Sequence, residues 1–382
     1  MTIYKNIHEL VRYLHESARP PSIFPMKNES NSYLWIDARD SLSEELEWVN
    51  CGEDFPPGKL IPSNFSGGLY RGQTEVYSSC CPRIYRGFPS VGRPRDLLLE
   101  YRTKFLAAQI KTMWFISLLQ GHPAMHHARE LKIQIDPVAV AQHYGMPTDY
   151  LDLTQSIEVA AFFGCCYEDK DRIWKPKSTG QGVIYRLSPV VSLEKRRLMA
   201  ALIGLVTFPR PGEQQAWAIP VRMGFDFGKA PQVQTFLFNH TLEDSMHYLK
   251  MFDYGKTLFL EDPAADLADS VINSSEVPED SLVQVLLRFG CLPENLEKTL
   301  KSFKKELKCY CNMDVKKEVS ISFTNEQVKK IKFYLASRDA DFRGKVHPVR
   351  SMGGGGWRFP TEFEIASLLY IDNGDNRPSD LD

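Results

Sequence analysis

Ile7, Leu10, Val11 and Leu14 recur at helical spacing within residues 4–18, which predicts an amphipathic opening helix that ends in the Pro/Asn/Ser-rich stretch 19–32. Residues 50–68 are rich in Gly, Pro and Ser and lead into a short strand-like run, Leu69-Tyr70-Arg71-Gly72-Gln73, where a domain is expected to start. Dense apolar positions with few breakers over 96–120 predict one long, mostly buried helix. A short helix over 137–144, a turn at 145–148, the segment Leu151-Asp152-Leu153-Thr154 and an apolar helix from Ile157 follow, with 154–156 at the N-terminus of that helix.

After a Lys/Gly-rich loop at 169–182 come strand candidates at 182–188, 215–224 and 234–239, with a helical stretch near 193–202 between the first two. Beyond about residue 270 the pattern turns to Lys/Glu-rich helices near 280–289, 294–308 and 325–337. The glycine run 353–356 reads as a loop, followed by a polar tail expected to be disordered. The division is an N-terminal helical segment 1–50, a domain 51–270, a helical accessory region 271–345, and a Gly-rich loop and tail 346–382. No internal repeat is present.

Composition narrows the function classes. With 382 residues, 43% of them hydrophobic and 12% aromatic, the chain can bury one large core or two ordinary ones. Lys and Arg number 46 against 48 Asp and Glu, so no general basic field draws nucleic acid or acidic membrane. The eight cysteines form no CxxC pair and no regular spacing, which argues against a zinc or disulfide framework, and no metal is predicted. Cys165 and Cys166 sit in an apolar run and read as small buried hydrophobes. The opening residues lack a signal-peptide core and no segment reaches about 18 uninterrupted apolar residues, so a cytoplasmic protein without a membrane partner is expected.

Four polar constellations carry candidate chemistry. In Tyr70-Arg71-Gly72-Gln73 an arginine ends a strand beside a glycine that permits close backbone approach, which suits bidentate binding of phosphate or carboxylate. Taken alone, Arg71 also fits an ordinary surface arginine. In Gln142-His143-Tyr144-Gly145-Met146-Pro147-Thr148 polar and aromatic side chains surround a constrained turn, with His143 a binding residue rather than a base. Asp152, Thr154 and Ser156 open the apolar helix, where caps and free N–H groups serve either the helix alone or an anionic ligand. In Arg210-Pro211-Gly212-Glu213-Gln214-Gln215, strand alternation would point Glu213 and Gln215 together at the entrance of the strand 216–221.

The order of these motifs resembles the FRG domain, over about residues 60–270, with Asp149 and Ala216 standing where an Arg and a Gly are expected. More distantly the chain resembles the Arg-Ser-Glu class of ADP-ribosyltransferases, which implies an α+β fold with a split β-sheet core, flanking helices and a helical C-terminal region. That resemblance implies NAD as co-substrate, with Arg71 on its phosphates, Thr154 or Ser156 ordering the nicotinamide-ribose pocket, and Glu213 stabilising the charge that develops on the ribose. Tyr70, Gly72, Gln73, Gln142, His143, Tyr144, Thr148 and Asp152 would join the binding site. Gln215 takes the second acidic place of a Glu-x-Glu pair, so Glu362 or Glu364 is a further candidate carboxylate. The expectation is transfer of ADP-ribose to a protein or nucleic acid, as an antiphage or toxin-type effector with an antitoxin or chaperone as partner. The alternatives are a non-catalytic nucleotide or nucleic-acid sensor and an NAD glycohydrolase. A nuclease ranks last, because no carboxylate cluster has metal-ligand spacing.

Overall fold

The computed structural model describes residues 3–17, 33–37, 58–62, 68–89, 91–130, 136–187, 201–202, 208–344 and 346–349. Glu362, Glu364 and the glycine run 353–356 lie outside them.

The fold is mixed α/β. β1 (Ile3–Tyr4) precedes α1 (Ile7–Ser17), whose predicted apolar stripe Ile7, Leu10, Val11 and Leu14 is buried. Then come β2 (Tyr33–Asp37), β3 (Gly58–Pro62), β4 (Leu69–Gln73), α2 (Leu99–Leu119), α3 (Pro123–Glu130), α4 (Pro137–His143), β5 (Tyr150–Thr154) and α5 (Ile157–Cys165). β6 (Cys166–Glu168) and β7 (Trp174–Pro176) form a small hairpin before β8 (Gln181–Leu187), β9 (Ala201–Leu202), α6 (Pro209–Glu213), β10 (Ala216–Pro220) and β11 (Val233–Asn239). The remainder is α7 (Leu242–Met251), α8 (Pro263–Asn273), β12 (Glu276–Pro278), α9 (Glu279–Arg288), α10 (Leu296–Cys311), β13 (Asp314–Lys316), α11 (Asn325–Gly344) and β14 (Val346–Val349).

A seven-stranded sheet in the order β1-β11-β8-β4-β5-β10-β9 forms the centre. Its pairings are antiparallel except for β1, which runs parallel to β11. β4 pairs with β8 at every position from Leu69 to Gln73, yet it meets β5 at one position, Tyr70 with Thr154. β5 then continues into β10 along its whole length. The sheet is therefore two ladders joined at one pair, and beyond that pair β4 and β5 part.

Alternation along β4 sorts its side chains between two cores. Tyr70 faces α5 and α1 in a cluster that includes Ile7, Leu14, Ala160, Phe162 and Phe238. Leu69 faces the other way, among Leu153, Leu187, Trp217 and Phe227. Gly72 lies on the α5 side, where a Cβ would stand 1.9 Å from the Ala160 carbonyl oxygen and 2.5 Å from the Gly164 nitrogen. The close approach that this glycine permits is thus between strand and helix. A third core joins α2, through Ile110, Phe115 and Leu119, to α4, α8, α9, α10 and α11, so the helical region past residue 270 shares its interior with the sheet domain.

Two expectations change. The helical stretch near 193–202 falls mostly outside the described residues, and Ala201 and Leu202 extend the sheet edge beside Ala218 and Trp217. Glu213 closes α6 instead of entering a strand, and Gln215 adopts φ 46, so the alternation that would aim Glu213 and Gln215 together does not exist there. Pro209 at the start of α6 favours the helical turn, because its fixed φ suits a first-turn position where no N–H bond is required.

Candidate functional site

A cavity of about 320 Å³ opens where β4 and β5 part. Arg71 and Gly72 of β4, Asp152 and Thr154 of β5, and Gln142 and His143 at the end of α4 line it. Arg71 bridges the gap: its Nη1 donates to the Asp152 carbonyl at 2.8 Å, so a side chain joins the strands where the backbone ladder is open. Its Nε is buried and has no hydrogen-bond partner. The guanidinium also neighbours Cys80, whose thiol is raised by burial, an effect the Arg71 charge opposes.

A relay of hydrogen bonds holds the opposite wall. The Tyr150 N–H donates to Thr148 Oγ1 at 3.1 Å, Thr148 donates to Gln142 Oε1 at 2.5 Å, and Gln142 Nε2 donates to Asp152 Oδ2 at 3.2 Å. Gln214 Nε2 donates to the Leu258 carbonyl at 3.0 Å, which fixes the amide and turns its Oε1 to His143 Nδ1 at 3.1 Å. An amide oxygen only accepts, so Nδ1 carries a proton. In the neutral ring, His143 Nε2 then presents a lone pair, 3.5 Å from Asp152 Oδ1. Both atoms are buried and without a hydrogen-bond partner. The Arg71 Nε donor, and with a neutral ring the two acceptors as well, are thus left unused around one cavity. Unsatisfied polar atoms are rare in native proteins and call for an explanation.

The structure places the other residues singled out from sequence as follows. Thr154 lines the cavity, donates to the Gln214 carbonyl at 2.7 Å and accepts from the Ser156 N–H at 3.0 Å. Ser156 caps α5 by accepting from the Val159 N–H at 3.2 Å and is not part of the lining. Tyr70 contributes to the lining while its ring is fully buried. Tyr144 is buried outside the lining, donates to Asp262, and lies under the Arg210 guanidinium at 5.7 Å. Burial, then the Asp262 carboxylate, raises its hydroxyl. Gln73 lines a second cavity, and Glu213 and Gln215 line neither. Asp149, also outside the lining, has a carboxyl that burial raises.

Sequence reasoning missed Arg83, Arg86, Gln214, Phe163 and Phe259, all of which face the cavity. A signal for the arginines was available in Pro82-Arg83-Ile84-Tyr85-Arg86, where the buried Ile84 fixes one side of a single turn and leaves Arg83 and Arg86 exposed. Gln214 was passed over because the strand pattern was extended one turn too early. Phe259 comes from a loop after α7, which no local pattern ties to β4. Among the described residues no group of His, Cys, Asp and Glu is placed to hold a metal, and no helix is long and apolar enough to cross a membrane.

Fold and site define a mixed α/β domain with a polar cleft at the parting of its central sheet. The segment that carries most of the cleft matches a family model: residues 66–172 match the FRG domain and include Arg71, Arg83, Arg86, Gln142, His143, Asp152 and Thr154. Gln214 and Phe259 complete the cavity from beyond the matched residues. No curated protein and no solved structure matches the chain.

Proposed function

We propose that the cavity between β4 and β5 binds NAD and that the protein transfers ADP-ribose to a macromolecular acceptor. The observation that carries this reading is the arrangement of unused polar groups: paired acceptors, His143 Nε2 and Asp152 Oδ1, suit the two hydroxyls of a ribose, and the Arg71 guanidinium suits a phosphate. Arg83 and Arg86 add positive charge around the same cavity, and Phe163 and Phe259 offer rings to a flat base. A volume of about 320 Å³ lies within the ordinary range of small-ligand sites. The parted sheet, with an arginine ending one strand and a threonine at the end of the next, is consistent with the distant resemblance to ADP-ribosyltransferases.

NAD supplies a ribosyl group whose bond to nicotinamide breaks as a bond to the acceptor forms. Positive charge develops on the ribose in that step, and the Asp152 carboxylate is the anion within the cavity able to stabilise it. Asp152 therefore takes the role that the resemblance to ADP-ribosyltransferases implied for Glu213. His143, held by Gln214, orients the ribose with Asp152.

The test is incubation of the full chain with NAD labelled in both halves together with a total cell lysate. Released nicotinamide, with the adenylate label in a protein or nucleic-acid fraction, is the expected result; intact NAD would overturn transfer. A second reading, a non-catalytic module that senses a nucleotide, is favoured by one observation: Glu213 and Gln215, the Glu-x-Glu-like pair, are not in the lining. Bound but uncleaved NAD would establish it.

A further inference from the structure

A second cavity, of about 500 Å³, adjoins the first and shares Arg86 with it. Its wall is aromatic: Tyr77, Tyr85, Phe88 and Phe225 line it, and Tyr77 is 51% exposed. Its floor includes Gln73, which is 7% exposed and whose Oε1 is buried with no hydrogen-bond partner. A buried acceptor among rings suits a flat group that carries an N–H donor at its edge.

The stretch of chain that supplies much of this wall, Arg86 included, is basic, although the whole chain carries −2. Residues 77–104 hold six basic and two acidic side chains. Gly224, in the wall, has φ +78, and a Cβ there would stand 2.9 Å from the Val91 carbonyl oxygen, so the 91–93 segment runs against the rim. Arg93 and Arg222, both exposed, flank that contact in sequence.

We propose that this second cavity is the acceptor site and that it takes an unpaired base of a single-stranded nucleic acid. The proposal rests on the ADP-ribosyl-transfer reading for its chemistry, but not for its binding. Rings that stack on a base, with arginines for the flanking phosphates, are the usual means of holding a single strand. A paired base must first leave its stack, at a cost in free energy, before it can enter a cavity, which favours a single strand over a duplex. A nitrogen or oxygen of the nucleotide bonds to the ribose carbon, nicotinamide leaves with the electrons of the broken bond, and the acceptor loses its proton.

The experiment measures binding of the full chain, without NAD, to fluorescent oligothymidylate and oligouridylate of about 12 nucleotides, a length within the usual site sizes, and to a duplex of equal length. The expected result is single-strand binding at least tenfold tighter than duplex binding. Tyr77→Ala should weaken it about tenfold, Tyr77→Phe should preserve it, and Tyr254→Ala, at an exposed ring outside the lining of both cavities, should change nothing. Equal binding of duplex and single strand, an unaffected Tyr77→Ala, or binding of an acidic tyrosine-containing peptide in place of either oligonucleotide would overturn the proposal. Nicotinamide release without oligonucleotide binding refutes this assignment alone, and oligonucleotide binding without release refutes only the transfer.

Discussion

Along β8, β4 pairs at five consecutive positions; along β5 it pairs at one. The β8 edge is closed by backbone pairing along the whole of β4, and on the face above it Gly72 meets the backbone of α5. The open edge leaves the Asp152 carbonyl to Arg71 and leaves Arg71 Nε, His143 Nε2 and Asp152 Oδ1 without hydrogen-bond partners. One strand thus divides two tasks between its edges. Completeness of pairing marks the stabilising side, and its interruption marks where a ligand can enter.

The largest effect is expected at the closed edge. Gly72→Ala places a methyl group against backbone atoms that no rotamer change can move, so it should cost about 3 kcal/mol or more. A urea denaturation midpoint, compared at unchanged slope, measures it. A loss below about 1 kcal/mol would mean that strand and helix separate easily and that the closed edge is not closed. At the open edge the opposite is expected. Asp152→Asn keeps the side chain's shape and should leave the denaturation midpoint almost unmoved, yet lower nicotinamide release about 10²–10³-fold by removing the stabilising charge. Equal damage to stability and turnover would erase the distinction between the edges.

Two buried histidines sharpen the comparison. His122 resembles His143 in having one nitrogen bonded, Nδ1 accepting from the Ala124 N–H at 3.0 Å, and the other buried without a partner. Its ring is enclosed by Phe208 and Phe323 at 5.0 and 5.1 Å, whereas His143 faces a carboxylate and a cavity. An unpaired nitrogen therefore indicates a ligand only when its surroundings are polar and open. Burial pushes the His122 pKa down to about 3. Because the folded value is below the unfolded one, the unfolded chain binds the proton first, and stability is full above the unfolded pKa of about 6.5 and falls toward acid. By pH 5 the loss should be on the order of 2 kcal/mol. Denaturation of the wild type and His122→Asn at pH 7 and pH 5 isolates it from the buried carboxylates, whose raised values act in the other direction. The variant should lack most of that loss; an identical fall in both would show that His122 does not control acid stability.

Much of this architecture is legible in the chain. The stripe Ile7, Leu10, Val11, Leu14 and the apolar run that became α2 are local patterns, and local patterns survive into the fold. Strand β10 falls within its predicted run, and β8 and β11 each begin one residue before theirs, for the same reason. α7 and α8 were not read, although Thr241 and Asp262 cap them by accepting from the Asp244 and Ala264 N–H groups. The parting of β4 from β5 leaves no local signature, since pairing between residues 70 and 154 is a long-range contact. For the cavity, Arg71, Gln142, His143, Asp152 and Thr154 were legible because turns and strand ends constrain polar residues. The face each one serves depended on register.

The smallest expected effect belongs to Glu213, and it bears on that register. The resemblance to ADP-ribosyltransferases implied Glu213 as the catalytic carboxylate and strand alternation would have pointed it alongside Gln215, but α6 ends at Glu213 and the φ of 46 at Gln215 breaks the alternation. It is Gln214, 5% exposed, that reaches the cavity and fixes His143. Glu213→Gln should therefore change nicotinamide release less than about threefold, because the half-buried side chain lies outside the cavity lining and the substitution keeps its shape. Gln214→Leu, by contrast, removes the acceptor that sets the His143 tautomer and should raise the KM for NAD more than it lowers kcat. If Glu213→Gln instead abolished release while Gln214→Leu did not, α6 would have to unwind when ligand binds, and the open edge would extend beyond β5 to the start of β10.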